Sequence, residues 1–172
     1  EYMQAKGIYG TVAGVKPTNN QILLNPVQIN NHLKEYLDSN FNKYPIDDID
    51  NDALGIVVHE YLMLYIDRLY NGIIPYEKLD WRVFRMLWEQ KVFMLERLQK
   101  TEKLLNFDST ISNAYYKIVK NADDIRMLYA SHHKKRRDSL LIAMKNKLKE
   151  IHELEKELLL KFINMAERNI LQ

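Results

Sequence analysis

His59 and Glu60 stand side by side inside a mostly apolar stretch, Ala53 to Tyr70, reading ALGIVVHEYLMLYIDRLY. An imidazole beside a carboxylate in apolar surroundings could bind a metal or move a proton. Zinc held on one helix needs a second His one turn after the first, so that both rings face the ion; Met63 stands there. Carboxylate-bridged di-iron bundles need repeated Glu-x-x-His pairs, and the chain contains none. The pair therefore reads as helix structure: His59 at the edge of the core, hydrogen-bonded to a neighbour, with Glu60 and Asp67 on a narrow polar strip. The stretch itself reads as the central buried helix on which the others pack.

Three further sets of residues could carry chemistry. Asp48-x-Asp50-x-Asp52 resembles the opening of an EF-hand calcium loop, where alternate oxygens converge on the ion. The sixth position, however, is Ala53 instead of Gly, and the twelfth is His59 instead of Glu. These carboxylates fit better as caps favoured by the positive end of the helix that follows. Arg126 and His132, with His133 beside it, resemble the active motif of HEPN-type ribonucleases on a helix of an all-α chain. That resemblance implies an Arg126/His132 pair assisting cleavage at the RNA 2′-hydroxyl. It spans only Arg126 to His133, and Met127 follows the arginine where that family often has a polar residue. Finally, His132 to Arg137 (HHKKRR) is an unbroken run of cationic or titratable side chains. Lys134, Lys135, Arg136 and Arg137 could contact nucleic acid, an anionic membrane surface or an acidic protein. No aromatic residue interleaves with them to stack bases.

Composition removes other classes. The chain of 172 residues has no cysteine, so disulfides, thiolate zinc sites and cysteine nucleophiles are excluded. A net charge of +2 demands no polyanionic partner, so any electrostatic argument rests on where the charges sit. No apolar run approaches the roughly 20 residues needed to span a bilayer. Gly7, Gly10 and Gly14 have neither the spacing nor the context of a phosphate-cradling loop.

The elements that must position these residues are helical. Asn25-Pro26 is a start signal, since Asn caps and Pro fits the first helical position. Asn71-Gly72 is a stop. From Glu77 to Gln172 there is neither Gly nor Pro, which argues for an all-helical remainder. Apolar spacing predicts helices over 80–105 and 109–133, with Asp108 or Ser109 capping the second. Leu141, Met144, Leu148, Ile151, Leu154, Leu158, Phe162 and Met165 continue the pattern with one slip at Leu154. Around Ser131–Ser139 two forms fit: a turn capped by Asp138 that makes a hairpin, or one rod from Ser109 to Gln172 of about 95 Å, which implies coiled-coil pairing. The hairpin is the expected form, because such a rod cannot lie within a compact domain of this size.

The sequence thus predicts one all-α domain over 1–172. It is an antiparallel bundle of four to five helices over 26–172, with an extended arm or small hairpin over 1–25 and a long C-terminal helix over 138–172. The expected function is a non-enzymatic protein–protein interaction or scaffold module, one domain of a larger protein. Its expected contact is a protein partner or self-association along the seam Leu148, Ile151, Leu158 and Phe162. The alternatives are nucleic-acid association through 132–137 and the ribonuclease chemistry of Arg126 and His132. No residue set calls for a cofactor or a metal. The aromatic load, Trp81, Trp88, Tyr61, Tyr65, Tyr115, Tyr116 and Tyr129, reads as core packing, with a hydrophobic groove for a partner helix as the alternative.

Overall fold

The structure, a computed structural model, describes residues 25–39, 53–80 and 82–170. The expected N-terminal arm, the acidic loop Asp48–Asp52 and Trp81 lie outside the described residues. Among the described residues there are five α-helices, two short 3₁₀ turns and no strand. The helices are α1 (Pro26–Asp38), α2 (Val58–Tyr70), α3 (Val83–Leu104), α4 (Thr110–Lys135) and α5 (Asp138–Ile170). They form the expected antiparallel bundle with a long last helix.

Local signals act where the sequence puts them. The Asn25 side chain accepts the Val27 and Gln28 N–H groups at 3.0 and 3.4 Å, and Pro26 follows it. Asn71 ends α2, and Gly72 supplies a φ of +66°. The chain turns between α4 and α5 at Arg136, which has a φ of 49°, so the hairpin and not the rod is observed. The α4 start is capped differently from expectation. Asp108 accepts the Thr110 N–H at 3.3 Å, but the Ser112 N–H goes to Glu102 of α3 at 3.0 Å, and Ser109 offers no side-chain cap.

Long-range pairs fix the directions. Lys117–Glu150 and Lys147–Asp124 lay α5 antiparallel to α4. Trp88 under Arg126 and Gln99 against Tyr116 lay α3 antiparallel to α4. Asp67–Lys145 places the end of α2 near the start of α5, while Lys34–Glu167 places α1 near its far end. The two short helices therefore lie one after the other along α5.

The hub of the core is α5, not Ala53–Tyr70. Met144, Leu148, Ile151, Leu159 and Phe162 are essentially without exposure, and α5 packs on α1, α2 and α4. In α2 only His59 and Ile66 are buried; Tyr61, Leu64 and Tyr70 face solvent. An apolar composition all round marked α2 as central, but a 13-residue helix cannot reach every neighbour, whereas α5, with 33 residues, runs past both short helices.

Candidate functional site

The end of α1 and the start of α2 meet over a buried carboxylate. Glu155 of α5 has no solvent exposure, and each of the other four helices sends it one polar side chain. Lys91 of α3 donates to both its oxygens, at 3.0 and 2.8 Å. Tyr36, in the last turn of α1, donates to Oε2 at 3.0 Å and accepts from the Lys91 ammonium at 3.0 Å. Tyr115 of α4 donates to Oε1. His59, in the first turn of α2, lies 3.4 Å from Oε2 through Nε2. Its ring meets that of His152, also on α5, edge-on at 5.7 Å.

The approach of α1 to α2 that seals this cluster depends on Gly55. Its φ is +73°, and a Cβ there would fall on the Tyr36 carbonyl oxygen. Ser39 Oγ then accepts the Val57 N–H at 3.2 Å, tying the end of α1 to the 3₁₀ turn that opens α2.

Burial raises the Glu155 carboxyl, but the Lys91 charge, His59 and the hydrogen bonds from Lys91 and Tyr115 outweigh it, so the group is held below the usual carboxylate range and is ionised. Burial lowers Lys91, opposed by Glu155. Burial and then the Glu155 charge raise both Tyr36 and Tyr115, which therefore stay protonated and donate. Burial, reinforced by Lys91, lowers His59 to about 3 against the pull of Glu155, so its ring is neutral at neutral pH. The expected hydrogen bond of His59 to a neighbour is absent: neither ring nitrogen finds such a partner among the described residues, nor does Nδ1 of His152. No set of three His, Asp or Glu among the described residues is arranged to hold a metal, although His59, His152 and Glu155 are neighbours. The Lys91 ammonium takes the carboxylate position that an ion would need.

Above the cluster a cleft of about 480 Å³ opens where α1 and α3 fail to close on each other. Phe162 of α5 lies at its floor, with Ile29, Leu33 and Tyr36 from α1 and Met94, Leu98 and Thr101 from α3. His32, Glu35, Arg97 and Lys100 line it toward solvent. Tyr36 thus belongs to both places: its ring lines the cleft and its hydroxyl reaches Glu155.

The other expected residues are placed as follows. Leu148, Ile151, Leu158 and Phe162, expected as a partner-helix face, are 0–4% exposed; α1, α2 and α4 of the same chain pack on α5, so the seam is not a free helix face. This is a correction with a simple cause: an apolar stripe looks the same whether its cover lies in the chain or in a partner. Arg126 is held by Asp123 at 2.6 Å and lies over the Trp88 ring at 4.8 Å. His132 is buried, with Nδ1 donating to the Arg137 carbonyl at 3.1 Å across the turn. Lys134, Lys135, Arg136 and Arg137 are exposed at that turn.

Lys91 and Glu155 were missed by sequence reasoning. A signal for both existed. The α5 stripe runs Met144, Leu148, Ile151, Glu155, Leu158, Phe162 without a slip once Glu155 replaces Leu154, and Lys91 fills the gap between Leu87 and Met94 in the α3 stripe. Charges of opposite sign at the one irregular position of two apolar stripes are what a buried pair looks like in sequence.

Comparison of the chain with family models, with curated proteins and with solved structures returned no match.

Proposed function

We propose that the chain is a non-enzymatic protein-interaction module that takes an acidic, apolar segment of a partner protein into the α1–α3 cleft. The supporting observation is the cleft itself: an apolar floor under a polar rim in which Arg97 and Lys100 stand with His32 and Glu35. Its volume lies in the range of sites that accept a few large side chains. A helix offering Leu or Phe at i and i+4 or i+7 would insert them there and set its acidic face against Arg97 and Lys100. The Glu155 cluster beneath is closed to solvent, which suits a clamp holding the cleft walls in register rather than a reacting centre.

The reading is tested with two synthetic amphipathic helices sharing one leucine face, with Glu in one and Lys in the other at the remaining positions. Titration of the Glu peptide should shift the methyl resonances of Ile29, Leu33 and Leu98, and Arg97→Glu with Lys100→Glu should abolish the shift. Equal responses to both peptides, or none at these methyls, would defeat the proposal.

A further inference from the structure

The end of the bundle opposite the cleft carries a second surface. Three pieces of chain meet there. The α4–α5 turn brings Lys134, Lys135, Arg136 and Arg137, all exposed. The end of α2 lies beside the start of α5, as the 2.7 Å Asp67–Lys145 pair shows. Counting antiparallel from that pair sets Tyr70 next to Ile142, about one turn from Asp138. The chain leaving α2 then folds back, with the Ile73 N–H donating to the Arg68 carbonyl at 2.9 Å, which fixes Ile73 at the same end.

Tyr70, Ile73 and Ile142 are 50, 67 and 51% exposed, so half or more of each large side chain lies in water. Lys134, Lys135 and Arg137 make no ion pair among the described residues. Among the described residues the carboxylates of these segments are Asp67, Glu77, Asp80 and Asp138, of which Asp67 is held by Lys145 at 2.7 Å and Asp80 by Arg82 at 2.9 Å. Apolar side chains standing out beside exposed cationic ones are the arrangement that inserts into the headgroup boundary of an anionic bilayer. A nucleic-acid surface would leave Ile73 and Ile142 without a role, since isoleucine neither stacks on bases nor pairs with phosphate. No helix among the described residues is long and apolar enough to cross a membrane, so the contact would be peripheral.

We infer that this end of the bundle docks on anionic lipid bilayers, with Lys134, Lys135 and Arg137 on the headgroups and Tyr70, Ile73 and Ile142 inserted between them. The surface is separate from the cleft, and the inference stands whether or not the cleft binds a partner.

The experiment is co-sedimentation of the full chain with phosphatidylcholine vesicles, with or without phosphatidylserine. Two triple variants are compared with the parent: Lys134→Ser, Lys135→Ser, Arg137→Ser, and Tyr70→Ser, Ile73→Ser, Ile142→Ser. All six positions are exposed, and a melting curve on each variant confirms that it folds. Binding to the serine-containing vesicles alone is expected, reduced about tenfold or more by either triple variant. The inference is overturned by any of three results. One is no sedimentation with anionic vesicles. Another is undiminished binding by the apolar variant. The third is retention of duplex DNA or RNA that equals vesicle binding and is lost only in the charge variant.

Discussion

The Lys91 ammonium and the Glu155 carboxylate face each other at 2.8 Å with neither residue exposed to water. Such a pair adds little net stability over apolar residues of the same volume, because two desolvation costs offset the attraction. Its effect is on register. The two charges come from non-adjacent stripes on α3 and α5, and Tyr36, Tyr115 and His59 surround them. A slip of α3 or α5 would strand a charge in the core.

Removing one partner should therefore cost far more than removing both. Lys91→Met is expected to destabilise the fold by about 3–5 kcal/mol, since Glu155 is left buried without its countercharge and main donor. Lys91→Met with Glu155→Met should lose clearly less than the sum of the single variants. Urea unfolding of the three variants checks this, and additive losses would contradict the pairing.

Acid should weaken the fold through His59. Its folded value is about 3, against 6.5 for an ordinary imidazole. Above pH 6.5 neither state binds this proton, so the stability is fully present. Below it the unfolded chain takes up a proton that the native chain refuses. Stability then falls by about 1.4 kcal/mol per pH unit until the pH reaches the folded value, or about 2 kcal/mol at pH 5. Glu155, also held low, adds to the loss only below the ordinary carboxylate value, where the unfolded chain takes up a proton before the folded one. The ring makes no hydrogen bond, so His59→Leu should change stability at pH 7 by less than about 1.5 kcal/mol. The same variant should flatten the decline between pH 6.5 and 5. Thermal melts of both proteins across that range measure the difference.

Gly55→Ala should separate α1 from α2. The added methyl would collide with the Tyr36 carbonyl, which is backbone and cannot swing aside, and the positive φ adds strain. A loss of at least about 2 kcal/mol is expected. Amide exchange should rise at Val57, whose N–H is bonded to Ser39. Gly72→Ala, with open space around its Cβ, should cost only the backbone strain.

Arg136→Gly should stabilise the hairpin. Arg136 holds a φ of 49° at the end of α4, where glycine has no steric penalty. A gain of up to about 1 kcal/mol is expected from the midpoint of unfolding, partly offset by the greater freedom of glycine in the unfolded chain.

Fold class and most helix boundaries were legible because their signals are local, although the stretch expected as helix from Ala53 is α-helical only from Val58, after the 3₁₀ turn that Gly55 opens. Asn25-Pro26, Asn71-Gly72 and the breaker-free tract from Glu77 each act within a few residues. The hairpin was legible too, from a chain length that a rod would exceed. The choice of hub was not, since hydrophobicity ranks α2 above α5 and only packing reveals that length decides. The cleft left no mark at all: Ile29, Leu33, Leu98 and Phe162 read as ordinary core, and only the separation of α1 from α3 leaves a gap there. Of the candidate residues, Arg126 and His132 matched in spacing, yet each is engaged by a local partner that spacing does not display.

The convergence of one side chain from every helix on Glu155 bears on how the chain folds. Assembly without α1, α3 or α4 would bury the carboxylate with part of its donor set missing, so intermediates lacking α1 carry a penalty that the complete bundle does not. The molecule should accordingly fold and unfold as one cooperative unit, with α1 exchanging its amide hydrogens on the timescale of global opening despite its 13 residues and its place beside an open cleft.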